Sequence, residues 1–75
     1  MQKQKMKYLG KVKKESKFYD SFYTLVFDDR GNIFNIDVDV IDTDISNLKK
    51  GRFYQEIYKD ITFGTPTYLL GFRES

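Results

Sequence analysis

The chain has 75 residues, of which thirteen are Phe or Tyr, and it contains neither Cys nor His. Without these two residue types it cannot form a disulfide, an ordinary zinc site, or a Ser-His-Asp or Cys-His catalytic system. A chain of this length buries only about 60% of its unfolded surface, so aromatic packing has to supply much of the core. We therefore expect one small non-enzymatic domain with no cofactor and no bound metal.

The net charge of +2 hides a strong separation of charge along the chain. Residues 1–17 hold seven Lys and one Glu, a net of +6, whereas residues 18–47 hold seven Asp and one Arg, a net of −6. Such asymmetry says more about binding partners than the total charge does.

The Lys-rich start lacks the apolar run of a signal peptide, and no stretch approaches the ~20 apolar residues of a membrane span. We expect a soluble cytoplasmic protein that does not bind membranes, either a monomer or a small homo-oligomer. Residues 1–5 are polar and predict a frayed N-terminus, and residues 6–75 predict a single small β-barrel domain.

The first predicted strand, β1, covers residues 6–14. Met6, Tyr8 and Val12 share one parity, and the other parity is mainly basic, which predicts one apolar and one basic face. Gly10 lies in the middle of this strand and predicts a bulge or a sharp bend.

A hairpin between residues 22 and 40 organises the rest of the chain. Residues 22–27 predict strand β2, residues 28–32 supply turn chemistry, and residues 33–40 alternate strictly and predict strand β3. Because β2 is apolar on both parities, it is predicted as the central strand. The expected apolar face of β3 consists of Phe34, Ile36, Val38 and Val40.

Three further elements complete the prediction. Residues 41–51 predict a short helix that is capped by Asp44 and ends at Gly51. Residues 52–58 predict strand β4, and residues 67–72 predict strand β5. The core-facing residues expected in the helix and in β5 are Ile45, Leu48, Tyr68, Leu70 and Phe72.

Five short strands with one short helix between β3 and β4 predict a mainly β protein, a small five-stranded antiparallel barrel of the OB-like kind. Closing the sheet would also remove the exposed strand edges on which an aromatic-rich sheet aggregates. An SH3-like barrel, or an open sheet covered on one face by the helical segment, is the alternative.

An acidic cluster, Asp37, Asp39, Asp42 and Asp44, allows three interpretations. A site for Mg²⁺ or Ca²⁺ is disfavoured, because Asp37 and Asp39 would stand roughly 7 Å apart on a strand and the run lacks the Gly and terminal Glu of a calcium loop. The cluster is otherwise a solvated face, or a face that meets a protein partner, for example by mimicking phosphates.

Basic and aromatic residues are mixed around β1 and the loop that follows it. Proteins that hold single strands combine a positive groove with aromatic side chains on which bases stack, and in OB-folds the first loop and strands 2 and 3 form the usual surface. The alternative is that the aromatic residues only pack the core and the lysines keep the protein soluble. The candidate binding residues are Lys7, Lys11, Lys13, Lys14, Lys17, Phe18, Tyr19, Tyr23, Lys49, Lys50 and Arg52.

The sequence therefore predicts a non-enzymatic module that binds single-stranded DNA or RNA. The alternative is a small protein-interaction module, an inhibitor or adaptor of a phage or mobile element, which uses the acidic face and exposed aromatic residues. The two differ in what they require of the sheet. Nucleic-acid binding is favoured if basic β1 and acidic β3 lie on opposite sides, and protein interaction is favoured if they are neighbours whose charges cancel.

Overall fold

The computed structural model describes residues 5–15, 20–59 and 68–75. These residues form one antiparallel sheet of five strands, which confirms the mainly β prediction. Of the N-terminus predicted to fray, only Lys5 lies within the described residues. The strands are β1 (Met6–Lys13), β2 (Phe22–Asp29), β3 (Asn32–Asp39), β4 (Phe53–Tyr58) and β5 (Leu69–Glu74).

The strand order is β3-β2-β1-β4-β5, so β3 and β5 are the outermost strands and do not pair with each other. The sheet is therefore not a closed barrel. An isolated parallel bridge between Asp44 and Gly71 joins the chain after β3 to β5. β2, predicted as the central strand, lies inside the sheet between β3 and β1, but the middle position belongs to β1.

The β2–β3 hairpin has the predicted turn. Asp29 pairs with Asn32, which leaves a two-residue loop in which Arg30 and Gly31 have φ angles of 53° and 92°. Two consecutive positive φ angles define a type I′ turn, whose twist matches that of the flanking strands. The Asp28 carboxylate fixes this turn by accepting a hydrogen bond of 2.9 Å from the Gly31 N–H.

A bulge interrupts β1 between Tyr8 and Gly10, as the glycine predicted, and Gly10 has a φ of 147°. The extra residue reverses the faces of the strand beyond it. Lys11 consequently pairs with Leu25 and lies on the inner face of the sheet. Val12 moves to the outer face and is 62% exposed, so its assignment to the apolar face with Met6 and Tyr8 is wrong.

The core is a cluster of aromatic rings centred on Phe27. This ring lies 5.5 Å from Tyr8, 5.9 Å from Phe34 and 5.4 Å from Phe72, measured between centroids. Because Phe27 is on β2 and Phe72 is on β5, the sheet must curl until strands that are not neighbours face each other. The buried apolar residues are Met6, Tyr8, Leu25, Phe27, Val38, Tyr54 and Phe72, with Tyr23, Phe34, Ile36, Ile45, Leu48 and Leu69 packed against them.

A register shift between β4 and β5 changes the expected inner face of β5. Ile57 pairs with Gly71 and Tyr58 pairs with Leu69, so Leu70 is an extra residue. Leu69 and Phe72 therefore both reach the core. Leu70 and Tyr68, which alternation placed beside Phe72, are each 40% exposed, and that part of the prediction is wrong.

The predicted helix between β3 and β4 is absent; the structure has turns at 40–51 and no helix among its described residues. Besides local turn bonds, the segment bonds to β5: the Asp44 N–H donates to the Leu70 carbonyl at 2.9 Å, and the Thr43 hydroxyl donates to the Leu69 carbonyl at 2.8 Å. A helix of barely two turns is marginal without such competition. Ile45 and Leu48 nevertheless pack against the core as predicted, whereas Val40 is 37% exposed.

Within the ranges the structure describes, no helix is long and apolar enough to cross a membrane.

Candidate nucleic-acid interface

Lys11 and Tyr23 form the centre of the predicted binding surface. The Lys11 ammonium lies 5.2 Å from the centroid of the Tyr23 ring, which is within the range of a cation–π contact. Lys13 is the direct cross-strand partner of Tyr23, so its side chain leaves the same face of the sheet. The bulge at Gly10 is what brings both lysines to the side of Tyr23.

Lys50 is a further predicted lysine, and it approaches β1 at Gly10. Its side chain lies along β1, because a Cβ placed on Gly10 would be 3.2 Å from the Lys50 Cε. The backbone holds this arrangement, since the Gly51 N–H donates to the Tyr8 carbonyl at 2.8 Å. Lys11, Lys13 and Tyr23 are called the basic patch below, and no contact between described residues joins Lys50 to them.

Lys14 belongs to a different surface. Its ammonium forms an ion pair of 2.9 Å with the Asp37 carboxylate, which also accepts a hydrogen bond of 2.7 Å from the Thr24 hydroxyl. The hydrogen bond from Lys14, followed by that from Thr24, holds the pKa of the Asp37 carboxyl below its usual value. An open cavity of about 350 Å³ adjoins this pair and is lined by Lys14, Glu15, Phe22 and Asp37.

The other described basic candidates are dispersed. Lys7 pairs with Asp28 on one side and with Phe53 on the other. Arg52 lies 3.5 Å from the Glu74 carboxylate in an exposed ion pair. Lys49 is exposed, and its backbone N–H donates to the Tyr54 hydroxyl at 2.7 Å. These residues do not join the basic patch through any contact between described residues. Lys17, Phe18 and Tyr19 lie outside the described residues.

The acidic residues serve largely as turn formers. The Asp39 carboxylate accepts the Ile41 N–H at 3.0 Å, and the Asp44 carboxylate accepts the N–H and hydroxyl of Ser46 at 2.9 and 2.7 Å. The hydrogen bonds from Ser46 lower the pKa of the Asp44 carboxyl. Among the residues with a described position, no three His, Cys, Asp or Glu side chains form a set that could hold a metal ion.

The basic residues at β1 lie partly beside the acidic residues of β3 and partly on the opposite face of the sheet. Both strands flank β2, and the Lys14–Asp37 pair makes them neighbours on the outer face. Lys11 and Lys13, in contrast, lie on the inner face, where Leu25 and Tyr23 are their partners. The bulge therefore divides these lysines between an acidic surface and a surface on which no described acidic side chain contacts Lys11 or Lys13.

Sequence patterns missed a second contact between a cation and a ring. The Lys59 ammonium lies 6.0 Å from the centroid of the Tyr68 ring. The Lys59 N–H donates to the Tyr68 carbonyl at 2.9 Å, so the two residues continue the pairing of β4 with β5. The signal available in the sequence was their position just outside two strands that pair with each other.

Comparison with protein-family models, with curated proteins and with solved structures found no match to this chain. The functional argument therefore rests on the geometry of the chain itself.

Proposed function

We propose that this protein is a non-enzymatic module that binds single-stranded DNA or RNA through the basic patch. The observation that carries the proposal is the placement of Lys11 over Tyr23, with Lys13 as the cross-strand partner of the same ring. A phosphate would lie near the two ammonium groups while a neighbouring base stacks on the aromatic ring.

This combination is the one that single strands require. Lysines neutralise phosphates and release counterions, and stacking of a base on an aromatic side chain contributes about 1–3 kcal/mol. The aspartates of β3 bound the site, because their charge repels a phosphate backbone from the outer face. Of the predicted lysines on β1, Lys11 and Lys13 carry the function, and Lys14 is engaged by Asp37.

The proposal includes an OB-like arrangement for the whole domain. Two observations support it: β1 pairs with both β2 and β4, and the chain after β3 runs parallel to β5 at the bridge between Asp44 and Gly71. In OB-folds the β1–β2 and β4–β5 connections border the binding surface. The basic patch includes Lys13 and Tyr23, which stand at the β1–β2 end of the sheet.

Fluorescence anisotropy with a labelled single-stranded oligonucleotide tests the proposal. Two lysines that contact phosphate give a slope of log K against log salt near −1.4, because each contact on a single strand contributes about −0.7. Raising the salt from about 50 to about 200 mM should therefore weaken binding by about sevenfold. Absence of binding at the lower salt concentration contradicts the proposal.

Matched variants test whether the oligonucleotide binds at the basic patch. Lys11→Gln with Lys13→Gln should reduce the magnitude of the salt slope by about 1.4. The control, Arg30→Gln with Arg73→Gln, removes the same charge from the β2–β3 turn and from β5, away from the β1–β2 end of the sheet, and should leave the slope unchanged. Tyr23→Leu keeps an apolar side chain but removes the ring, and should weaken binding by at least about fivefold. Equal losses in both double variants would show that net charge alone, and not the basic patch, attracts the oligonucleotide.

A further inference from the structure

The outer edge of β3 is an unpaired strand edge on the side of β3 away from β2. β3 is the last strand on its side of the sheet, and it pairs with β2 over eight consecutive residues without a register shift. No residue with a described position pairs with its other edge. A regular edge strand of this length presents a row of backbone donors and acceptors to an incoming strand.

The hairpin determines which backbone groups face outwards. Asp29 and Asn32 close the two-residue loop, so they form a hydrogen-bonded pair, and such pairs alternate along an antiparallel ladder. Phe34 and Ile36 therefore bond to β2. Ile33, Asn35 and Asp37 direct their N–H and C=O groups away from β2, towards the open edge.

The side chains beside this edge define what it would accept. Phe34 and Ile36 are half-buried on the inner face and offer an apolar surface to every second residue of an added strand. On the outer face the edge carries Ile33, which is mostly exposed, and then Asn35, Asp37 and Asp39. β3 contains no Pro and no Lys, and its charged residues, Asp37 and Asp39, repel an acidic strand but not a basic one.

We propose that the outer edge of β3 binds an extended peptide in which Lys or Arg alternates with apolar residues, and that the peptide adds as a sixth strand. The basic side chains of the peptide would face Asp39 and the Asp37 carboxylate, for which they would compete with Lys14, and its apolar side chains would face Phe34 and Ile36. Charge complementarity selects this partner over a second copy of β3, because two such edges would bring their aspartates together. The proposal does not depend on nucleic-acid binding, since it uses a different strand and the opposite charge.

Amide hydrogen exchange measured by NMR tests the mode of binding directly. In the free protein, the amides of Ile33, Asn35 and Asp37 should exchange quickly and those of Phe34 and Ile36 slowly. A saturating peptide of about nine residues, with Lys alternating with Val, should slow the first group by at least about tenfold and leave the second group unchanged. Unchanged exchange of the first group on saturation contradicts strand addition.

A substitution at Asn35 blocks the edge with little effect on the hairpin. Asn35→Pro removes an outward N–H that is not part of the β2 ladder, and edge strands tolerate proline at such positions. Binding of the labelled peptide should be lost in Asn35→Pro and retained in the matched control Asn35→Ala. If Asn35→Pro does not fold, the pair Asp37→Lys with Asp39→Lys should lose the basic peptide and gain a peptide in which Glu alternates with Val.

Further outcomes decide the identity of the partner. Equal binding of the basic and the acidic peptide by the natural sequence would overturn the charge argument. Dimerisation in sedimentation experiments that Asn35→Pro abolishes would make a second copy the occupant and would overturn the proposal. The Lys11→Gln and Lys13→Gln double variant should keep full peptide binding, which separates this surface from the basic patch.

Discussion

The two halves of β1 have different surroundings although they belong to one strand. Met6 and Tyr8 are buried, and the backbone of Tyr8 bonds on one side to Gly51 and Arg52, in line with β4. Lys11 and Lys13 are exposed and pair with β2. The bulge before Gly10 separates the halves, so the same strand supports the core at one end and presents charge at the other.

The one extra residue of the bulge changes which side chains of β1 share a face. Simple alternation groups Tyr8 with Val12 and puts Lys11 on the face opposite to Tyr8. After the bulge, Tyr8 shares a face with Lys11, and Val12 faces solvent. The basic patch is therefore a product of backbone geometry at Gly10 as much as of the lysines themselves.

The largest expected difference in stability is between truncating Tyr8 and truncating Val12, which simple alternation puts on the same face. Tyr8→Ala removes a buried ring that contacts Phe27 and Tyr54, and should reduce the free energy of unfolding by about 3–5 kcal/mol. Val12→Ala should change it by less than about 0.5 kcal/mol, because Val12 is mostly exposed. Urea unfolding monitored by tyrosine fluorescence measures both. Similar losses in the two variants would contradict the shifted register.

A smaller effect is expected at the bulge. Gly10 has a φ of 147°, which side chains rarely adopt, and a Cβ there would lie 3.2 Å from the Lys50 Cε. Gly10→Ala should destabilise the fold by about 1–3 kcal/mol through backbone strain. Since the Lys50 side chain can move, the double variant Gly10→Ala with Lys50→Ala should recover only a minor part of the loss in urea unfolding. Full recovery would show that the contact with Lys50, and not the backbone conformation, requires glycine.

Local sequence patterns were enough to predict the elements that pair with residues close to them in the chain. The β2–β3 hairpin followed from the alternation of β3 and from Gly31 in the turn, because register is set within a two-residue loop. Gly10 predicted the bulge correctly, because a glycine in the interior of a strand often marks a local bulge. The number of strands and most of the core residues followed from periodicity.

Long-range pairing decided the features that the sequence could not predict. The segment around Asp44 was expected to be helical, but it bonds to Leu69 and Leu70, which are about 26 residues further along the chain. The extra residue at Leu70 likewise depends on the register between β4 and β5. Placing Lys11 beside Tyr23 required the register between β1 and β2, and a glycine alone does not give it.

The smallest expected effect concerns the outer face just beyond the charged half of β1, where Lys14 holds Asp37. The ion pair and the Thr24 hydroxyl lower the pKa of the Asp37 carboxyl from 3.8, so the folded state binds this proton less tightly than the unfolded state does. The contribution to stability is therefore present above the unfolded pKa and is lost as the pH falls through the folded pKa.

Lys14→Gln should raise the pKa of Asp37, because it removes the largest cause of the shift. NMR titration of the side-chain carboxyl carbons from about pH 6 to about pH 2 measures it, with Lys7→Gln as the control that removes a β1 lysine opposite Asp28. An unchanged Asp37 pKa in Lys14→Gln would mean that Thr24 alone holds the carboxylate. Lys14 would then be a free positive charge on the outer face and not the residue that holds Asp37.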